Sequence, residues 1–133
     1  MLREMVNSSH YKSQISLVAQ YVPDVMIPKY FSAADVVVLP YLRASGSGVA
    51  HIAMPYGKPI ITSDLDAMRE GLSDYEGALF VSPGDPTAIA EKLVEIYNLY
   101  TSGKSIVYSP PQNTWDEVAR QYAQIIKQIS ANG

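Results

Sequence analysis

The stretch from Asp35 to Asp64 constrains the fold of this chain more than any other part of its sequence. Residues 36–39 form a short continuous apolar run, which is typical of a strand buried on both faces of a sheet. Pro40 ends that run because proline cannot donate to the hydrogen-bond ladder of a sheet. The small residues 45–48 then allow the backbone to turn sharply and to lie close to a ligand.

The second half of this stretch predicts a helix and a further strand. A helix from about Gly48 to Tyr56 would aim its free N–H groups at the small-residue loop, and this arrangement favours anions. Residues 57–59 end the helix, and residues 60–62 form the next strand. The candidate phosphate-binding residues are Ser45, Gly46, Ser47, Gly48 and Val49. The alternative is a loop that only permits a tight strand-to-helix turn, because a lone Gly/Ser loop is a weak motif.

The rest of the chain alternates between strand and helix signals. The remaining predicted elements are a strand near 15–20, a short helix over 27–34, a short helix over 66–72, a strand over 78–81, a helix from Pro86 to about Thr101, and a final helix after Thr114. Asp85 before Pro86 is a strong helix start, and Thr114 with Glu117 forms a capping box. Alternating strands and helices predict an α/β fold with a mostly parallel sheet of about four strands.

Composition narrows the class of protein further. The chain has 133 residues, of which 47% are apolar and 17% charged, as expected of one globular domain over residues 1–133. A net charge of −3 argues against a nucleic-acid partner, and the absence of cysteine excludes disulfides and thiolate metal sites. No apolar run approaches the roughly 20 residues that span a bilayer, and no signal peptide opens the sequence. We therefore expect a cytoplasmic protein without a transmembrane segment.

Several further segments, in a fixed order, carry a resemblance to a known family. They are residues 21–24 (YVPD), 30–40 (YFSAADVVVLP), 53–61 (AMPYGKPII), Glu70, 77–81 (GALFV), 83–86 (PGDP) and Trp115. Together they resemble the C-terminal, donor-binding half of a glycosyltransferase family 4 enzyme, which has the GT-B architecture of two facing Rossmann-like domains. Each segment alone is a weak signal, whereas their shared order along the chain is a strong one.

The resemblance implies both a fold and an activity. The implied fold is a truncated Rossmann-like, doubly wound, mostly parallel sheet, so that residues 1–133 form a single but incomplete nucleotide-sugar-binding domain. The implied activity is transfer of a sugar from a nucleotide-sugar donor to a glycan or a lipid-linked acceptor, with retention at the anomeric carbon. The loop from Ser45 to Val49 would hold the donor diphosphate. The family is usually metal-independent at this site, and we expect no cofactor besides the donor substrate.

The chain also departs from the family pattern. Two glutamates usually flank the loop and helix, and their positions fall on Ala44 and Ile52, so neither carboxylate role can be transferred. Two earlier strands, a basic pair and the N-terminal acceptor domain have no counterpart in the sequence. We expect the isolated chain to be inactive, to bind nucleoside diphosphate weakly at most, and to need the missing domain or a second copy as partner. The alternative is a non-catalytic α/β interaction or regulatory module derived from such an enzyme, and no catalytic residue is assigned.

Five other residues are possible donor contacts, each with a structural alternative. Tyr21 and Val22 would frame the nucleotide base, or else simply end a strand. Arg43 would pair with a phosphate through its planar guanidinium, or else be a solvated loop side chain. His51 would contact the sugar, or else be a partly buried helix residue. Glu70 would order the segment beside the donor, or else act only in structure. The expected location is the cytoplasm, where a peripheral position at a membrane surface is compatible with the sequence.

Overall fold

The computed structural model describes residues 1–104, 106–109 and 123–129. Contacts divide the chain into two compact units, Met1–Ser32 and Ala33–Gly133, which are called the first and second units below. Residues 123–129 are helical. The predicted capping box at Thr114 and the family-like Trp115 lie outside the described residues.

The first unit contains only short helical segments. They are α1 (Leu2–Ser8), two 3-10 turns (Lys12–Gln14 and Asp24–Met26) and α2 (Ile27–Ala33), whose last residue opens the second unit. The helix predicted over 27–34 is therefore confirmed. None of the residues 1–32, all of which the structure describes, is buried. Without a buried face, these helices contribute no core of their own.

The strand predicted near residues 15–20 is wrong. The backbone there is irregular, and the side chains of Ile15, Leu17 and Val18 are 43%, 38% and 48% exposed. A strand is stabilised by a ladder of hydrogen bonds to a neighbouring strand. No strand in the described part of the chain pairs with this segment, so its alternating apolar pattern has no sheet to join.

The second unit is built on a parallel sheet of three strands. The strands are β1 (Val37–Leu39), β2 (Ile60–Ser63) and β3 (Ala78–Val81), arranged in that order. The connecting helices are α3 (Gly48–Ala53, continued by a 3-10 turn over Met54–Tyr56), α4 (Asp66–Gly71) and α5 (Pro86–Thr101). Val38 lies opposite Ile61, which lies opposite Leu79. The predicted α/β class and parallel sheet are confirmed, with three strands in the described residues where about four were expected.

The central strand β2 is buried along its whole length. Ile60, Ile61 and Thr62 have no exposed surface, and the Thr62 hydroxyl donates to the Leu39 carbonyl at 3.3 Å. The part of the core around Ile61 is a cluster of four buried apolar residues, which are Ile61, Val81, Ile96 and Ile106. Strands on both sides of β2 pair with its backbone, and the strand predicted over residues 60–62 is confirmed.

Helix α5 begins where the sequence predicts. The Asp85 side chain accepts a hydrogen bond from the Ala88 N–H at 3.0 Å, and Pro86 occupies the first helical position. The carboxylate thus satisfies one of the free donors that every helix start carries. Ile96 is the buried residue of this helix and fixes it against the core cluster.

Residues 106–109, which follow α5, return to the sheet and are called the strap below. The Tyr108 N–H donates to the Gly57 carbonyl at 2.9 Å, and the Tyr75 and Tyr108 rings meet edge to face at 6.1 Å. The Tyr75 hydroxyl donates to the Lys58 carbonyl at 2.6 Å, and burial raises the pKa of Tyr75 to about 12. Gly57 has φ +69°, and a Cβ there would lie 2.7 Å from the Tyr108 carbonyl oxygen. The strap therefore requires glycine at that position.

Candidate functional site

The carboxyl ends of the three strands lie along one edge of the sheet because all three strands are parallel. In open parallel α/β sheets, ligands bind outside this edge. A Cβ placed on Gly84, after β3, would lie 3.5 Å from Leu42 Cδ2, after β1. The loops that follow the two outer strands therefore meet above the end of β2, and they frame the edge where a ligand would bind.

An open cleft of about 570 Å³ lies against the loop that follows β1. Its lining residues are Tyr41, Arg43, Ala44, Ser45, Gly46, Ser47 and Gly48. Four of the five predicted phosphate-binding residues thus line one concave surface, whereas Val49, 40% exposed, is not among them. No carboxylate from the described residues lines this cleft, and the position expected to carry the first family glutamate is Ala44.

Ser47 fixes the start of α3. Its backbone is extended, with φ −145° and ψ 113°, and its Oγ accepts a hydrogen bond from the Ala50 N–H at 3.1 Å. The predicted start of the helix at Gly48 is therefore confirmed, and the responsible residue is an N-cap serine. The Ser47 Oγ also lies 3.2 Å from the hydroxyl oxygen of Tyr41.

The glycines of the loop leave the cleft surface open. A Cβ placed on Gly46 or on Gly48 would meet no atom within 4 Å. Packing within the described chain therefore does not require glycine at either position, but the φ of +158° at Gly46 is a conformation that other residues rarely adopt. The absence of side chains exposes backbone to the cleft, which is the property that a loop binding phosphate through N–H groups needs.

The structure places the other candidate contacts in different surroundings. Arg43 lies on the cleft and is exposed. His51 is half-buried in α3, and its Nε2 lies 4.0 Å from a Cβ placed on Gly71, so it faces the end of α4. Glu70 is exposed on α4. Tyr21, 83% exposed, and the half-buried Val22 belong to the first unit.

One pair of charged side chains at the sheet edge has no counterpart in the sequence-based predictions. Arg69 donates two hydrogen bonds to the Asp64 carboxylate, one of them from Nη2 at 2.9 Å, and its guanidinium lies 4.5 Å from the centre of the Phe80 ring. The hydrogen bond from Arg69 lowers the pKa of Asp64. Both side chains are largely exposed, so the pair contributes little to stability. It orders the connection from β2 to α4.

Two further features are absent from the described parts of the chain. Among residues 1–104, 106–109 and 123–129, no three histidine, aspartate, glutamate or cysteine side chains come together as metal ligands. Within those same ranges, no helix is both long enough and apolar enough to cross a membrane.

Comparison of the sequence with known proteins finds a matching family. Residues 2–98 match the family described as "Glycosyl transferases group 1". The chain is 29% identical over 106 residues to a phosphatidyl-myo-inositol mannosyltransferase of Mycobacterium leprae, covering 76% of the chain and 28% of that protein. It is 25% identical over 108 residues to an uncharacterized glycosyltransferase of Methanocaldococcus jannaschii, covering 76% and 27% respectively.

A third relative has the same pattern of coverage. The chain is 22% identical over 111 residues to a D-inositol 3-phosphate glycosyltransferase of Corynebacterium urealyticum, covering 80% of the chain and 26% of that protein. The chain thus spans between 26% and 28% of the length of these relatives. Because the family match covers most of the described fold, including β1, β2, β3 and nearly all of α5, the chain belongs to the group 1 glycosyltransferases.

Proposed function

We propose that this chain is the donor-binding part of a glycosyltransferase that uses a nucleotide sugar, and that residues 45–49 hold the donor diphosphate. The observation that carries this proposal is the open cleft at the carboxyl edge of the sheet, lined by the Ser/Gly loop before α3. Packing in the described chain does not need glycine at position 48, so a close approach of the backbone to a ligand would give Gly48 its role.

The chemistry of the cleft suits a leaving diphosphate. Transfer of a sugar from its nucleotide develops negative charge on the diphosphate oxygens, and fixed N–H donors stabilise charge as it develops. Backbone N–H groups near Gly48 and the exposed guanidinium of Arg43 provide such donors in this chain. Ala44 stands where a carboxylate is expected beside the donor sugar, and no described residue that lines the cleft carries a negative charge.

The complete reaction requires more protein than this chain contains. The aligned part of this chain covers only 26% to 28% of each relative, so most of each relative has no counterpart in it. We therefore propose that acceptor binding belongs to another domain or subunit, and that the isolated chain does not transfer sugar. Two relatives are named for inositol-containing compounds, one of them a phosphatidyl lipid. The phosphatidyl compound in the first name favours a lipid-linked acceptor over a glycan. We propose that the protein is cytoplasmic and peripheral to a membrane.

Replacement of Gly48 tests the diphosphate site. Gly48→Asp should be accommodated, because a Cβ there meets no atom within 4 Å and an acidic residue suits the first helical turn. Its carboxylate would repel the diphosphate by about 1 to 4 kcal/mol, weakening binding by roughly fivefold or more. The matched control is Gly48→Asn, which has the same shape without the charge. Calorimetric titration with UDP, GDP and ADP measures the affinities of all three proteins.

The titration distinguishes the proposal from a second candidate function. Saturable binding that Gly48→Asp abolishes and Gly48→Asn largely retains supports the donor site. The second candidate is a non-catalytic interaction module, which the replacement of both expected glutamates by Ala44 and Ile52 favours. If the wild-type chain binds none of the three diphosphates, the donor-site proposal is wrong and the interaction module is favoured.

A further inference from the structure

Tyr41 is a cleft residue to which neither the loop pattern nor the family resemblance gives a role. It follows Pro40 at the end of β1, and its half-buried side chain lines the same cleft as the Ser/Gly loop. Its hydroxyl oxygen lies 3.2 Å from Ser47 Oγ. The tyrosine therefore joins the end of the strand to the cap of α3, beside the surface proposed to bind the diphosphate.

The hydrogen bonds of this pair leave one hydroxyl proton for a ligand. Each hydroxyl has one proton and two acceptor lone pairs. Ser47 Oγ already accepts the Ala50 N–H at 3.1 Å, and the contact between the two hydroxyls uses one of their two protons. Whichever oxygen donates within the pair, one O–H stays unused between them. Among the described residues, no acidic side chain lines the cleft to accept that proton.

We propose that the Tyr41 hydroxyl donates a hydrogen bond to the diphosphate of the donor substrate. The donors would run in one direction, from the Ala50 N–H to Ser47, from Ser47 to Tyr41, and from Tyr41 to a phosphate oxygen. Donors aligned in this way polarise one another and strengthen the last bond, here the one made to an anion. This inference rests on the proposed function, because it needs a diphosphate in the cleft.

The test compares Tyr41→Phe with a matched tyrosine elsewhere, in the full chain. Tyr97→Phe is the control, because Tyr97 is 67% exposed on α5 and does not line the cleft. Calorimetric titration uses UDP, GDP and inorganic pyrophosphate as probes. We expect Tyr41→Phe to weaken binding of all three by about tenfold, the typical loss for one hydrogen bond to a charged group. The loss should not depend on the base, because the contact is to the diphosphate.

Ser47→Gly decides which hydroxyl faces the ligand. Glycine is tolerated as an N-cap, so the helix start is retained while the Ser47 hydroxyl is lost. If Tyr41 is the donor, this variant keeps the direct contact and loses only its polarisation, so its affinity falls less than that of Tyr41→Phe. A larger fall for Ser47→Gly than for Tyr41→Phe would overturn the proposed order, and Ser47 would be the donor.

The remaining outcomes separate this inference from the proposed function. Equal affinities of wild type and Tyr41→Phe, with binding still abolished by Gly48→Asp, would overturn the role of Tyr41 and leave the diphosphate site intact. Absence of binding by the wild-type chain itself would overturn both. Thermal unfolding of each variant measures whether folding has also changed. Tyr41→Phe leaves the hydrogen bond from the Ala50 N–H to Ser47 in place, so its melting temperature should stay close to that of the wild type.

Discussion

Both units of this chain are rich in apolar residues, but only the second unit buries its apolar side chains. In the first unit, Leu2, Met5, Ile15 and Val18 are between 43% and 64% exposed, and no residue is buried. In the second unit, the strand β2 is buried from end to end. The strand β2 is buried because it has a neighbouring strand on each side, whereas no described strand pairs with any segment of residues 1–32. Apolar sequence is thus necessary for a core but does not by itself form one.

Truncation of one apolar side chain in each unit should give the largest difference between the two units in lost free energy of unfolding. Ile61→Ala removes a fully buried side chain from the core cluster and should lower the free energy of unfolding by about 2 to 5 kcal/mol. Leu17→Ala, at a side chain 38% exposed, should lower it by less than about 1 kcal/mol. Urea unfolding followed by circular dichroism measures both. Equal losses would show that the first unit is packed as tightly as the sheet.

Tyrosine hydroxyls should show the same contrast on a smaller scale. Tyr75→Phe removes the hydrogen bond to the Lys58 carbonyl and should cost about 1 kcal/mol, whereas Tyr21→Phe, at a side chain 83% exposed, should cost nothing measurable. Burial raises the pKa of Tyr75 from 10.0 to about 12, so the folded state favours the neutral phenol. The resulting stabilisation is complete below pH 10.0 and is lost as the pH rises through about 12.

Two measurements check the behaviour of Tyr75. Ultraviolet titration of the folded chain should show one phenol that ionises late, and this late component should disappear in Tyr75→Phe. Unfolding experiments between pH 9 and 12 should show wild-type stability falling toward that of the variant. A stability difference that stays constant across this pH range would contradict the raised pKa.

Removal of a helix cap should give the smallest difference in stability loss between the two units. Asp85→Ala removes the side-chain acceptor from the first turn of α5 and should cost about 1 kcal/mol, whereas Asp85→Asn should cost less, because asparagine also caps helices. The matched change in the first unit is Asp24→Ala, at a short turn that has no side-chain cap. Thermal unfolding should separate the two alanine variants. A loss at residue 24 equal to that at residue 85 would weaken the comparison.

The parts of the fold that could be predicted from sequence are those specified locally. The strands over 37–39 and 78–81 were identifiable as short apolar runs, and the strand over 60–63 as a β-branched segment that follows the turn after α3. The start of α5 was identifiable because Asp85 caps its first turn and Pro86 suits its first helical position. The strand near 15–20 was mispredicted because a strand depends on a partner elsewhere in the chain, and no local pattern can supply that partner.

The candidate site shows the same division. The loop and the start of α3 could be predicted because serine and glycine determine backbone geometry locally. Tyr41 and the pair of Asp64 with Arg69 were missed, since each acquires its partner through a tertiary contact or a turn of the folded chain. A tyrosine directly after the proline that ends a strand was the available signal for the first. The phosphate-binding role of the loop stays a prediction.

The strap has a consequence for the order in which this protein folds. Its hydrogen bond from Tyr108 to Gly57 closes a loop that contains β2, α4, β3 and α5. Closing so long a loop costs chain entropy, which is repaid only after the intervening elements have assembled. The contact therefore forms late in folding and is among the first to open in the native state. The Tyr108 amide should exchange with solvent faster than the amides of β2, reporting release of the strap while the sheet stays intact.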